Sequence, residues 1–98
     1  MKKQFEEIVQ EGNIVIIDEI WIVLCKVWRP EHDNLFTYLY LHIEDNELMI
    51  GSHFIICNEQ MKHTRLATKK ERLQLFESMF KYGIAFNKDE HRLIGKLF

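Results

Sequence analysis

Short apolar runs separated by polar segments dominate the first 57 residues of the chain. β-Branched and aromatic residues are frequent in these runs, which is typical of strands. The polar segments around Pro30 and Asn46 contain residues that favour turns. Gly51 and Ser52 interrupt the last run and predict a bulge or bend. The pattern therefore predicts four strands, at residues 13–18, 20–28, 35–44 and 48–57.

Both faces of the predicted third strand are apolar. Leu39 and Leu41 lie on one face, whereas Tyr38 and Tyr40 lie on the other. A strand that is covered on one side only would be polar at every second position. Both faces of the sheet therefore need cover. This favours a small curled antiparallel sheet of four to five strands, an SH3-like half-barrel.

An amphipathic helix is predicted after these strands. Thr68 and Glu71 have the spacing of a capping box, and Gly83 lies where a left-handed C-terminal cap is expected. Phe76 and Phe80 lie in the middle of the apolar half of the helical wheel. We expect these two rings to be core anchors that pack on the sheet. The apolar half consists of Leu73, Leu75, Phe76, Met79 and Phe80.

Two further elements complete the predicted fold. Residues 84–86 and 92–94 flank a polar turn, which predicts a short C-terminal hairpin. Phe5, Ile8 and Val9 have helical spacing and predict one or two turns of helix near the start of the chain. The whole pattern predicts an α+β fold, in which the small curled antiparallel sheet is followed by one amphipathic helix and a short hairpin.

Length and composition place these elements in one domain. The chain has 98 residues, of which 47% are hydrophobic and 29% are charged, as is ordinary for a globular domain. Residues 1–98 are therefore expected to share a single core. Glu6 and Glu7 stand where a signal peptide needs apolar residues, and Asp18 and Glu19 interrupt the longest apolar stretch. We expect a cytoplasmic protein with no membrane segment.

Charge is distributed unevenly along the chain. Residues 1–61 contain four Lys or Arg against eleven Asp or Glu, a net charge of −7. Residues 62–98 contain nine against four, a net charge of +5. Such asymmetry is explained either by a basic face that meets an anion or by two halves that attract each other as they dock. The net charge of −2 for the whole chain favours attraction between the two halves, since a protein without a basic excess gains little from counterion release on nucleic acid.

The C-terminal half contains Arg-Leu-Ala-Thr at residues 65–68, Leu-Phe at 75–76, a glycine at 83 and a predicted hairpin that ends at 92–94. These features resemble a family of small Bacteroidetes and phage-associated proteins, whose C-terminal pattern runs Arg-x-Ala-Thr, acidic residues, Leu-Phe, Gly, an aromatic residue, Asn and a charged turn. Residues 12–23 are similar to the family's opening pair of barrel strands. This chain differs in having Lys69 and Lys70 where the family has acids, and Phe86 where it has Trp. The resemblance implies a barrel-like sheet, a helix, a C-terminal hairpin and a phage or mobile-element context, and it implies no particular activity.

Cysteine and histidine are the residues that suggest a metal site or a nucleophile. Cys25 and Cys57 are separated by 31 residues, and only His53 is spaced so that it could converge with Cys57. Cys57 with His53 or His42 would make a nucleophile and its base, but no glycine-rich elbow or phosphate loop accompanies them. Buried structural thiols explain the pattern better. We expect a non-catalytic protein with no cofactor, no metal and no small-molecule substrate.

Two groups of residues suggest a nucleic-acid interface. The basic segment, before and at the start of the helix, consists of Lys62, Arg65, Lys69 and Lys70. The aromatic platform, on one face of the predicted third strand, consists of Phe36, Tyr38 and Tyr40. Small barrels bind single strands by stacking bases on such a face beside a basic groove. Alternatively, these aromatic side chains are the floor on which the helix packs, and this arrangement is the commoner one.

Taken as a whole, the sequence favours a small non-catalytic interaction module. Its expected partner is another protein or a second copy of the chain, and no membrane is involved. The alternative is a nucleic-acid-binding small barrel that uses the basic segment before the helix.

Overall fold

The computed structural model describes residues 2–95, which form three helices and eight strands. In chain order these are α1 (Lys2–Ile8), β1 (Ile14–Ile17), β2 (Trp21–Arg29), β3 (Asn34–His42), β4 (Glu47–Ile50), β5 (His53–Ile55), α2 (Asn58–Lys62), β6 (Thr64–Leu66), α3 (Lys69–Lys81), β7 (Ile84–Asn87) and β8 (Arg92–Gly95). A 3₁₀ turn, Pro30–His32, connects β2 to β3. The predicted α+β class is confirmed.

The first six strands form one antiparallel sheet. Its order is β4-β3-β2-β1-β6, and β5 pairs with the same edge of β3 as β4, further along that strand. Because β4 and β6 lie at opposite ends of this order, the sheet is open and does not close into a barrel. The sheet has six strands instead of the predicted four to five. β6 escapes the sequence pattern because a strand of three residues is too short to show alternation.

A break at Gly51 and Ser52 divides the predicted fourth strand into β4 and β5. Both residues have positive φ angles, +75° and +102°, which lie outside the β region. The hydroxyl of Thr37 donates to the carbonyl of Gly51 at 3.0 Å, and the Gly51 amide donates to the Tyr38 carbonyl at 2.7 Å. These bonds hold the break against β3, so the predicted bend is confirmed.

Both faces of the sheet are covered, as the sequence predicts. On one face, Ile16 of β1 belongs to the same buried cluster as Leu75 of α3. On the other face, Val15 shares a cluster with Phe5 of α1 and Met61 of α2. Neighbouring residues of a strand point to opposite faces. The helix α3 and the β7–β8 hairpin therefore lie on one side of the sheet, and α1 and α2 lie on the other.

The ends of α3 are those that the sequence predicts. The Thr68 hydroxyl accepts from the Glu71 amide at 3.2 Å, and the Glu71 carboxylate accepts from the Thr68 amide at 2.8 Å. This reciprocal pair is the capping box. Gly83 follows the C-cap with φ at +69°, a conformation that glycine adopts without strain.

The buried face of α3 differs from the predicted one. The helix docks through Leu75, Ser78 and Met79. Phe76 and Phe80 are 45% and 84% exposed, so the prediction that they are core anchors is wrong. The apolar half of the wheel is wider than the strip that touches the sheet. Because Ser78 is small, the helix approaches the sheet along the edge with Leu75 and Met79. The opposite edge, with Phe76 and Phe80, stays in solvent.

Within residues 2–95, no helix combines the length and the apolar character that crossing a membrane requires.

Candidate functional site

An exposed apolar ridge runs along α3. Leu73, Phe76 and Phe80 follow one another at intervals of three and four residues, so they share one face of the helix. They are 50%, 45% and 84% exposed, respectively. We call these three residues the α3 ridge. A surface helix normally turns its large apolar side chains inward, so an outward row of this kind requires an explanation beyond folding.

A groove opens beside the ridge, between α3 and β7. Its volume is about 760 Å³, and its floor includes the buried side chains of Ile14 and Leu24. Two cationic side chains, Arg72 and Lys88, stand at its rim. We call this cleft the α3–β7 groove. Its walls are formed by Leu66, Ala67, Phe76, Met79, Phe80, Ile84, Ala85 and Phe86.

Phe80 is the centre of this apolar surface. It lines the α3–β7 groove and also two smaller hollows of about 490 and 340 Å³. One hollow lies along the outer side of α3 with Leu73 and Lys81, and the other lies over the hairpin with Ile94 and Gly95. The exposed ring therefore joins three concave areas into one continuous surface.

The walls of the groove are fixed by polar contacts at their ends. Arg72 donates to the carbonyl of Ala67 at 2.9 Å and ties the first turns of α3 to the segment that follows β6. In the turn of the hairpin, the Asn87 side chain accepts from the amides of Asp89 and Glu90, at 3.0 Å each. The groove is therefore built into the folded chain.

A cluster of Glu11, Tyr38 and His91 anchors the hairpin that forms one wall. The Tyr38 hydroxyl contacts the Glu11 carboxylate and lies 2.9 Å from the His91 carbonyl oxygen. A ring nitrogen of His91 lies 2.6 Å from the other carboxylate oxygen of Glu11. The Tyr38 ring also packs against Phe86, with centroids 4.7 Å apart. This cluster joins the start of the chain, the sheet and the C-terminal hairpin.

The protonation states in this cluster follow from its contacts. Burial, together with the neighbouring Glu11 carboxylate, raises the pKa of Tyr38 to about 12. Burial raises the pKa of Glu11, but hydrogen bonds from Tyr38 and His91 outweigh burial, so this pKa lies below its ordinary value. At neutral pH the tyrosine is therefore a neutral donor and the glutamate a charged acceptor.

The basic segment does not form one continuous cationic patch. Arg65 is bound by two carboxylates, Glu19 at 2.8 Å and Glu71 at 2.7 Å. Lys62 lies 3.7 Å from a carboxylate oxygen of Glu59. Lys69 and Lys70 are exposed at the start of α3 and are the two cations of the segment with no ion pair among the described residues.

The Arg65 ion pairs connect the two charged halves of the chain. Glu19 belongs to the acidic first half and Arg65 to the basic second half. The Arg65 guanidinium lowers the pKa of Glu71 to about 2 and also holds the pKa of Glu19 below its ordinary value. Part of the charge asymmetry is therefore neutralised by an ion pair within the fold, in agreement with the explanation that the two halves attract each other.

The three residues of the aromatic platform do not share one face. Tyr38 is buried in the cluster that contains Leu75 of α3, whereas Tyr40 packs in the cluster on the opposite face, with its ring 5.0 Å from that of Phe54. Phe36 is exposed beside His53. The register shift at Tyr38 explains the error, because Tyr38 is an extra residue of β3 opposite β2 and a bulge reverses the alternation of its strand.

The cysteines and histidines are not brought together. Cys25 is buried, and burial raises the pKa of its thiol to about 12. Cys57 is exposed at the N-cap of α2, so the expectation that its thiol is buried is wrong. In the part of the chain that the structure describes, no three His, Cys, Asp or Glu side chains are arranged to hold a metal ion.

The α3–β7 groove is the feature that the sequence does not reveal. The only signal was an apolar half of α3 wider than one docked strip, and the wheel does not show which edge remains exposed. Comparisons with protein-family models, with curated proteins and with solved structures give no match for this chain.

Proposed function

We propose that the protein is a non-catalytic interaction module that binds another protein, or a second copy of itself, through the α3 ridge and the α3–β7 groove. The observation that carries the proposal is the 84% exposure of Phe80 at the centre of three joined hollows. Large contiguous apolar areas are uncommon on proteins that act alone, and they mark interaction sites. Exposed aromatic side chains beside a pocket are typical binding anchors.

Nucleic acid is the less favoured partner. Backbone binding depends on cations that can replace the counterions of the phosphates. Arg65, at the middle of the basic segment, already contacts two carboxylates of its own chain. Base stacking needs aromatic faces in a row, and Tyr38 and Tyr40 lie on opposite sides of the sheet. Both features support a protein partner.

The wider setting of the module is part of the same proposal. The resemblance to small Bacteroidetes and phage-associated proteins supports a phage or mobile-element origin. The antiparallel sheet, in which a break separates β4 from β5 along one edge of β3, supports a distant likeness to an SH3-like half-barrel, although the terminal strands β4 and β6 do not meet. A module that holds partners together needs no catalytic residue.

Site-directed photo-cross-linking tests the proposal in the cells from which the gene comes. A photo-cross-linking amino acid in place of Leu73 lies on the α3 ridge, whereas the same amino acid in place of Ile55, 61% exposed on β5, is the matched control. We expect irradiation to join the Leu73 position to one dominant protein, identified by mass spectrometry. Phe80→Ala should remove that product. Equal, weak labelling from both positions would contradict the proposal.

A further inference from the structure

We infer that the α3–β7 groove receives an acidic segment of a partner protein, with apolar side chains of that segment packed around Phe80. This inference rests on the proposed function and names the chemistry of the partner. The groove supplies an apolar floor and walls, and its volume of about 760 Å³ is within the range that accommodates several buried groups of a ligand. A segment that only filled it with apolar side chains would leave the charges at the rim unmatched.

The charges around the groove are mainly positive. Arg72 and Lys88 line the groove itself, and Lys81 lines the adjoining hollow. Glu77 is the one carboxylate among the described residues that line these two cavities. A partner segment with Asp or Glu beside its apolar residues would meet these cations at the edge of the contact. Such ion pairs contribute more to the register and the rate of association than to the affinity.

Three nearby carboxylates do not reverse this balance. Glu71, at the start of α3, is held by Arg65 at 2.7 Å, and Glu90, in the hairpin turn, lies 2.9 Å from Arg92. Their charges are therefore largely compensated within the chain. Asp89 is exposed next to Lys88 and reduces the positive field at one end of the groove only.

The same charges disfavour a second copy of the chain at this surface. A symmetric dimer places the same patch on both sides of the contact. Two copies of the α3 surface would bring Arg72, Lys81 and Lys88 of both chains into one contact, with Glu77 as the one lining carboxylate from each. Like charges across an interface cost free energy and suppress that pairing. An acidic partner is therefore favoured over self-association.

Selection from a peptide library tests the inference without a known partner. The probe is a phage-displayed library of random peptides of about 16 residues, long enough for anchors over several helical turns. It is selected on the purified 98-residue chain. We expect the enriched peptides to carry a net negative charge and at least two large apolar residues. Binding of a fluorescent synthetic copy should weaken as ionic strength rises.

Variants of the chain locate the binding. Phe80→Ala should lower the affinity for the selected peptide about tenfold or more, as expected for an aromatic anchor. The double variant Lys81→Glu/Lys88→Glu should also lower it about tenfold and should select basic peptides from the same library. Ile55→Ala and Arg29→Glu change exposed residues that do not line the groove and should leave the affinity unchanged. Thermal melts confirm that each variant is folded.

The outcomes separate this inference from the proposed function. Peptides that depend on Phe80 but carry no acidic excess would overturn the inference and leave the proposed function standing. A dimer seen by sedimentation and broken by Phe80→Ala would do the same, since the groove would then serve a second copy. If neither peptide binding nor self-association responds to Phe80→Ala, both proposals fail.

Discussion

Phe80 and Leu75 lie on the same helix but have opposite surroundings. Leu75 is fully buried between α3 and the sheet, whereas Phe80 is 84% exposed. We expect Leu75→Ala to lower the free energy of unfolding by about 2–5 kcal/mol, because it removes buried contacts and leaves a cavity. Phe80→Ala should change it by less than about 1 kcal/mol. Urea denaturation of both variants measures the difference.

That comparison also controls the binding experiments. A variant that loses binding while it keeps its stability has lost a contact with a partner and not its fold. Equal losses of stability for Phe80→Ala and Leu75→Ala would show that the Phe80 ring packs in the core, and the α3 ridge would then not exist as a surface.

Glu71 links stability to pH through Arg65. Its carboxylate contacts the Arg65 guanidinium at 2.7 Å, and this contact lowers its pKa to about 2 from an ordinary value of 4.5. A lowered pKa means that the stabilisation is complete above pH 4.5 and is lost as the pH falls toward 2. The Glu71 side chain is 21% exposed, so we expect a loss of about 1–2 kcal/mol after allowing for solvent screening.

The variant Glu71→Gln isolates this effect. Glutamine keeps the reciprocal cap with Thr68, since Glu and Gln both serve at that position of a capping box. Urea denaturation measures the free energy of unfolding at about pH 6, above this range, and at about pH 3, inside it. Between the two, it should fall less in Glu71→Gln than in the natural chain. Glu77→Gln, on the exposed side of the same helix, is the matched control. An identical acid response in all three proteins would contradict the assignment.

At the scale of elements, the β7–β8 hairpin depends on its anchor. A two-stranded hairpin alone is marginally stable in water. Here Tyr38 connects it to the sheet through Glu11, the His91 carbonyl and the Phe86 ring. We expect Tyr38→Phe to lower the free energy of unfolding by about 1–2 kcal/mol, because Glu11 loses a buried donor. Amide hydrogen exchange in β7 and β8 should accelerate more than in β2 and β3.

The control for the hairpin experiment is Tyr40→Phe, on the opposite face of the sheet. This change removes a hydroxyl without touching the Glu11 cluster. An equal acceleration of exchange in β2, β3, β7 and β8 after Tyr38→Phe would show that the hydroxyl stabilises the fold globally and does not anchor the hairpin. In that case the wall of the α3–β7 groove would be held by apolar contacts alone.

Long elements with strong local signals were predictable from the sequence. The capping box at Thr68 and the glycine at position 83 define both ends of α3, and the break at Gly51 is visible as a turn signal inside a strand. Two of the short elements were not. β6 and α2 (Asn58–Lys62) are too short for a periodic pattern, and their existence depends on contacts with β1 and α1.

The candidate site was less predictable than the fold. A helical wheel identifies Leu73, Phe76 and Phe80 as apolar, but the rotation of α3 is set by Leu75 and Met79 fitting the sheet. Strand alternation likewise places Tyr38 and Tyr40 on one face only if the strand is regular. Irregular pairing of β2 with β3 separates them. In both cases the local sequence pattern is compatible with more than one orientation of the side chains, and tertiary contacts select one of them.

At the scale of the whole molecule, Arg65 joins the acidic and the basic halves of the chain. It contacts Glu19 of the β1–β2 turn and Glu71 of α3, with two hydrogen bonds to each. Arg65→Met keeps the length of the side chain but leaves two carboxylates facing each other. We expect a loss of about 1–2 kcal/mol in the free energy of unfolding at low ionic strength. The loss should shrink in high salt.

Arg29→Met is the matched control for that experiment, since Arg29 is exposed at the end of β2. If both variants lose the same stability, the guanidinium of Arg65 contributes no specific link between the halves. The charge asymmetry would then have to be explained by an external partner.

The remaining cations at the start of α3 test whether such a partner is a nucleic acid. Lys69 and Lys70 are exposed, and the structure gives them no role in joining the halves. If they bound phosphates, the natural chain would bind a labelled single strand at low salt, and Lys69→Glu/Lys70→Glu would reduce the salt slope by about one unit per lost contact. We expect instead no saturable binding in fluorescence anisotropy, for either protein.

We also expect the double variant to keep its stability within about 1 kcal/mol, because acids in the first turn of a helix interact favourably with its dipole. Saturable binding at micromolar protein that disappears in the double variant would contradict the protein-binding proposal, because it would place the functional surface at the start of α3 and away from Phe80.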